Sequence, residues 1–299
     1  MYLHPASKVT ESSDDSDASP TITIDIREGQ MGCSNYTALS YVWGDPNRSE
    51  DLEVLHSGSR SVVKITKSLQ TALRYLRGSQ TKVLWIDAIC INQDDVKERN
   101  KQVTKMGEIY SKASDVIIWL GEENYDSDLA MKFIPEISVQ GLDQLAGRQS
   151  TGESWKALAR LMRRPWFTRR WIIQEVAFSQ KAELWCGESV VSWMQFAEAV
   201  TLFESKIDDI NQLFRDLKKS EKSNNTLKKI ASYAVPVAVF AGGVAIALAS
   251  RGAFKPQKWI GPLRPGVVNA GRKFEHDMGP KYIWNVSPYL KFPQSRCRS

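Results

Sequence analysis

Two segments of this chain, residues 82–91 (KVLWIDAICI) and 115–121 (DVIIWLG), are apolar at nearly every position. Strands covered by helices on both faces have that composition, whereas strands with one wet face alternate. Between them, residues 94–111 have helical spacing. Asp95 and Glu98 stand three apart as a capping box, and Val96, Val103, Met106 and Tyr110 fall on one stripe. Lys97, Arg99, Asn100, Lys101, Lys105 and Glu108 fill the opposite side, which reads as solvent-facing. The pattern predicts a β-α-β unit, and open α/β sheets gather ligands at the carboxyl ends of their parallel strands. Those ends carry Asp87, Asn92 and Gln93 after the first strand, and Gly121, Glu122 and Glu123 after the second.

Similar patterns extend along the chain. Residues 21–26 and 36–43 have strand character, and 52–56 with 61–65 form a hairpin across Ser57-Gly58-Ser59-Arg60. Thr66 caps a helix whose Leu69, Leu73 and Leu76 share a face and which Gly78 ends. Helices are predicted over 127–137 and 154–163. Pro165 suits the first turn of another that runs to about Phe178. A strand over 181–186 and a helix capped by Ser192 with Gln195 and running through Phe203 complete the domain. The expectation is an α/β fold over 21–204, with a largely parallel central sheet flanked by helices and a β-hairpin insertion.

The flanks differ in composition. Residues 1–20 are rich in Ser, Asp and Thr and read as a flexible leader, and 205–229 are a polar helix or linker. Residues 230–250 contain no charge, and as a helix they would be roughly 31 Å long, the thickness of a bilayer core. Lys228, Lys229, Arg251, Lys255 and Lys258 flank that segment as interfacial anchors do. It reads equally as an Ala-rich helix buried in a bundle, because Pro236, Gly242 and Gly243 dilute its apolarity. Residues 251–299 form a basic tail.

Charge changes the picture only once it is located. The net +6 arises from the tail, where ten Lys/Arg face two Asp/Glu, leaving the first 250 residues at −2. No nucleic-acid motif accompanies that tail, which fits anionic lipid headgroups better. Four cysteines lie 57, 96 and 111 residues apart with no C-x-x-C pair, and there are three scattered histidines, so neither a disulfide framework nor a metal site is indicated. The N-terminus lacks the apolar core of a signal peptide, which leads to an expected cytoplasmic location, membrane-anchored if 230–250 spans. The fingerprints of dinucleotide dehydrogenases, P-loop ATPases, serine hydrolases and zinc proteases are missing from the sequence.

Among the residues able to carry chemistry, Glu175 stands out. On a helix through Phe178 its neighbours three and four positions away are Trp171, Ile172, Phe178 and Ser179, with no cation among them. A carboxylate so placed tends to a raised pKa and a functional role; pairing with Arg169 or Arg170 after folding is the structural alternative. Asp87 inside an apolar strand is costly unless paired, and Arg163, Arg164, Arg169 and Arg170 are its candidate partners. Asn92 and Gln93 could bind a ligand or shape the turn into the helix. Trp43-Gly44-Asp45-Pro46 offers an aromatic face that could stack a ring, or simply a core tryptophan and a turn.

Three of these stretches occur together in one known family. Tyr36-Thr-Ala-Leu-Ser-Tyr-Val-Trp-Gly-Asp45, the Leu84-Trp-Ile-Asp-Ala-Ile-Cys-Ile-Asn-Gln93 string with the helix-patterned stretch after it, and Arg164-Pro-Trp-Phe-Thr-Arg-Arg-Trp-Ile-Ile-Gln-Glu175 appear in its order. The chain resembles the fungal heterokaryon incompatibility (HET) domain over roughly residues 36–190. The resemblance implies an effector of non-self recognition and programmed cell death when incompatible strains fuse, and a distant likeness to TIR domains with their flavodoxin-like sheet. Trp171-Ile-Ile-Gln-Glu175 is similar to the Trp-x-x-x-Glu stretch of NAD-cleaving TIR domains. By that analogy Glu175 is catalytic; the expected substrate-binding set is Trp171 beside it with the candidates read from the strand exits and the aromatic turn, Trp43, Gly44, Asp45, Asp87, Asn92 and Gln93. NAD would be a consumed substrate, not a bound cofactor. Two alternatives stand beside it: a non-enzymatic adaptor that self-associates or engages another incompatibility protein, and a membrane-anchored toxic protein.

Overall fold

The computed structural model describes residues 1–5, 22–27, 35–56, 58–140, 152–169 and 172–205. Residues 6–20 of the expected leader, the linker from 206 to 229, the 230–250 segment, the basic tail and Trp171 lie outside these. Among the described residues no helix is long and apolar enough to cross a membrane.

The strands of the described residues form one nine-stranded sheet in the order β5-β4-β2-β1-β6-β3-β7-β8-β9. They are β1 (Tyr2–Leu3), β2 (Thr23–Asp25), β3 (Thr37–Ser40), β4 (Glu50–His56), β5 (Ser59–Ile65), β6 (Lys82–Trp85), β7 (Asp115–Trp119), β8 (Ala182–Cys186) and β9 (Ser189–Ser192). The helices are α1 (Lys67–Leu76), α2 (Asp87–Cys90), α3 (Val96–Lys112), α4 (Tyr125–Gln140), α5 (Gly152–Leu161), α6 (Ile172–Ala177) and α7 (Trp193–Ser205), with a 3-10 turn at Pro165–Thr168.

The sheet is mixed, which corrects the expectation of a largely parallel one. Its centre, β6-β3-β7-β8, is parallel throughout. Both ends are closed by antiparallel hairpins, β4 with β5 and β8 with β9, and β1 runs antiparallel to both of its neighbours. Hairpin closure needs only a tight turn, whereas each parallel pair needs a crossover, so the helices concentrate at the centre. The predicted hairpin is there, joined to the sheet through β2, which pairs in parallel with β4. β6, α3 and β7 form the expected β-α-β unit, but β3 sits between its strands.

The apolar runs are explained by burial on both faces. In β7, Val116 and Ile118 join one core while Ile117 and Trp119 join the other. α4, α5 and α7 build the first core around the fully buried Trp155, Trp166 and Trp193; α1 builds the second through Leu69, Leu73 and Leu76. Each buried indole removes roughly 200 Å² from water, about 5 kcal/mol at 25 cal/mol/Å². The caps form as the sequence spells them: Thr66 Oγ1 accepts from Leu69 N, Asp95 from Lys97 N and Glu98 N, and Ser192 Oγ from Gln195 N. Glu98, however, accepts from the Asn92 backbone instead of closing the box on Asp95. Val96 is 54% exposed, so the buried stripe of α3 begins further along, at Val103 and Met106.

Two predicted elements end early. The 82–91 run is strand only to Trp85; Asp87 opens the short α2 and so does not lie inside the strand. The helix expected from Pro165 to Phe178 is two pieces, a 3-10 turn that stops when the backbone becomes extended at Arg169 (ψ 139), and then α6.

Candidate functional site

Ser40 ends β3 at the centre of the sheet, and Asp87 follows the parallel neighbour β6. Around these strand ends the fold gathers Tyr41, Trp43, Tyr110, Trp166, Arg169 and Glu175. Glu175 is completely buried. Its Oε1 accepts from Arg169 Nη2 at 3.0 Å, and its Oε2 accepts from Arg169 Nη1 at 3.1 Å and from the Ser40 hydroxyl. Ser40 Oγ in turn accepts from Trp166 Nε1 at 2.8 Å and from Arg169 Nη1 at 3.3 Å. The carboxylate is therefore held by a two-pronged guanidinium and a hydroxyl that is itself fixed by an indole, the geometry in which charge-assisted bonds are strongest.

This corrects the expectation that Glu175 lacks a cation. On one continuous helix Arg169, six residues back, would point elsewhere. The break after Thr168 lets its side chain reach the carboxylate, so the structural alternative is the arrangement found.

Asp87 differs. It is half-buried, and two of the arginines expected as its partners are engaged elsewhere, Arg169 by Glu175 and Arg164 by backbone carbonyls. Its Oδ2 accepts from Trp43 Nε1 at 3.0 Å and its Oδ1 from the Ala88 N–H at 2.7 Å. Burial pushes its pKa up to about 6; the two hydrogen bonds and the Arg169 charge oppose that, and the Glu175 charge adds to it. The buried Tyr41 and Tyr110 hydroxyls are raised, by burial first and then by the carboxylates. Those mutual influences mark Asp87, Glu175, Arg169, Tyr41 and Tyr110 as one electrostatic group, with Tyr110 donating to the Leu39 carbonyl at 3.2 Å.

The remaining expected site residues mostly shape the chain. Asn92 Oδ1 accepts from Asp94 N, and Gln93 Nε2 donates to the Asp87 carbonyl at 2.8 Å, holding the turn from α2 into α3. Gly44 has φ +71, where only glycine is comfortable, and Asp45 accepts from Asn47 N in an exposed turn. Trp43 is 38% exposed, so it is not a core residue. At the exit of β7, Arg164 donates to the Leu120 and Glu122 carbonyls and closes that end. Ser40, Tyr41, Tyr110 and Trp166 are additions. A serine and a tyrosine inside the apolar 36–43 run are the signal for the first two. Among the described residues no group of three His, Cys, Asp or Glu is placed to hold a metal.

Residues 36–175 match the family model for the heterokaryon incompatibility protein (HET) family, a span that begins just before β3 and ends on Glu175. The chain carries a HET domain. Each residue of the strand-end cluster lies within the matched span. Heterokaryon incompatibility protein 6, OR allele, of Neurospora crassa is 33% identical over 212 residues, 56% of this chain and 31% of that protein. The HET chain thus spans about a third of the length of the curated relative it matches. No solved structure matches it.

Proposed function

We propose that this HET chain is an effector of fungal non-self recognition and cell death, and that it signals by association, as an adaptor, without cleaving NAD. The observation that supports this reading is the state of Glu175: no exposed surface, and both carboxylate oxygens engaged by Arg169 and Ser40. A glutamate that stabilises a developing sugar cation must meet the ribose directly. Here Arg169 and Ser40 engage both carboxylate oxygens, and the ion pair ties the 3-10 turn to α6. The TIR-like reading makes Glu175 the ribose-binding acid and needs Arg169 to withdraw from it first.

An adaptor needs a free face, and α3 offers one in the exposed Lys97, Arg99, Asn100 and Lys101. The purified full chain incubated with NAD at high protein concentration tests the choice. Intact NAD is the expected result. Consumption that Glu175→Gln abolishes would establish the enzymatic reading instead.

A further inference from the structure

On the side of the sheet covered by α1 lies a cleft that shares Tyr41 and Trp43 with the strand-end cluster and none of its charged residues. Its volume is about 140 Å³. That is close to the roughly 150 Å³ of an apolar cavity that admits benzene, and below the roughly 300 Å³ at which drug-sized ligand sites begin. One ring fits; a dinucleotide does not. The floor is apolar and rigid, made by the buried Leu52, Ile65 and Leu69, and Trp43 forms an aromatic wall.

The charged groups at this cleft have one sign. Arg48 and Lys64 line it, and no carboxylate does. Arg48 makes no ion pair among the described residues, and Lys64 is held by the exposed Asp51 at 2.7 Å and by the Ser49 carbonyl at 3.3 Å, surface contacts of small energy that a ligand can replace. Asp87 is close in sequence to the lining Ala88, but its carboxylate is occupied by Trp43 Nε1 and the Ala88 N–H. An apolar slot with a stacking face and cations at its edge selects a flat ring that carries an acidic group.

We infer that this cleft binds a small aromatic acid, stacked on Trp43 with its carboxylate at Arg48 and Lys64. The bound ring fixes the indole whose N–H holds Asp87, so the ligand bears on the charged part of the strand-end cluster through Trp43. The inference does not depend on the output being association or NAD cleavage.

The test is fluorine NMR of the full chain with 4-fluorobenzoate and its neutral analogue 4-fluorobenzamide. So small a ligand is expected to bind with Kd on the order of millimolar. The benzoate should bind about fivefold more tightly than the amide, the size of a partly exposed charge contact. Arg48→Glu, an exposed change that leaves the core intact, should erase that preference, and Ala88→Leu, which fills the cleft, should abolish binding of both. No benzoate binding to the wild type overturns the inference, as does benzoate binding that Arg48→Glu leaves unchanged. Should Ala88→Leu fail to fold, the Arg48→Glu result decides.

Discussion

Arg169 and Glu175 lie six residues apart and meet across a break between two short helices, the guanidinium gripping both oxygens of a carboxylate that has no contact with water. Breaking such a pair from one side leaves a buried charge unanswered, at a cost of about 3 to 5 kcal/mol, while replacing both partners by apolar residues is often close to neutral. Glu175→Ala and Arg169→Ala should each lower the urea midpoint strongly. The double change Arg169→Met with Glu175→Met should recover most of the loss. Strict additivity of the two single changes would contradict a direct pair.

The titration of Asp87 gives a second test. Its pKa in the fold is raised from the ordinary 3.8 to about 6, so the folded state binds the proton more tightly than the unfolded chain. Stability must then fall as pH rises from about 4 to 6, and the penalty stays constant above that window. Asp87→Asn should flatten this dependence in thermal unfolding followed across pH. A carboxyl carbon chemical shift that titrates near 4 would refute it.

Trp43 supplies a third. Its indole N–H donates to the charged form of Asp87 and so holds the pKa down against burial. Trp43→Phe keeps the ring and removes the donor. The Asp87 titration, read by carbon NMR, should move further upward; a downward or absent shift would show that the bond does not form.

Much of the local architecture was legible in the sequence, and the reason is periodicity. Thr66, Asp95 and Ser192 cap helices because a short polar side chain precedes an amphipathic stripe, and residues 82–91 and 115–121 bracket α3 because double-sided burial leaves no polar alternation. What escaped depends on contacts between distant segments. Nothing in 82–120 announces that β3 will sit between β6 and β7. Nor does spacing reveal that Arg169 turns back on Glu175, because helical neighbours are sought at three and four positions and the helix stops first. In the sequence Ser40 is one polar residue within the 36–43 stretch, and its role is visible only with Trp166 and Glu175 against it.

Gly187 predicts a fourth outcome. It turns the chain between β8 and β9 with φ +56, and a Cβ there would fall 1.4 Å from Glu123 Oε2 and 2.7 Å from Glu123 Cβ. Gly187→Ala should cost about 1 kcal/mol or more from backbone conformation alone, with the clash added. Adding Glu123→Ala removes the carboxylate overlap but keeps the Cβ contact at 2.7 Å, so the double variant should recover only part of the loss, which denaturant titration of the single and double variants reads.

Central to the proposed function is the Arg169–Glu175 pair as a brace and not a reacting centre. The direct measurement is viability and cellular NAD followed together in fungal cells expressing the wild type or the Arg169→Met, Glu175→Met double variant. Both proteins are expected to reduce viability while NAD stays constant until the cells die. A fall in NAD that precedes death with the wild type, and is lost together with killing in a stably folded double variant, would contradict it.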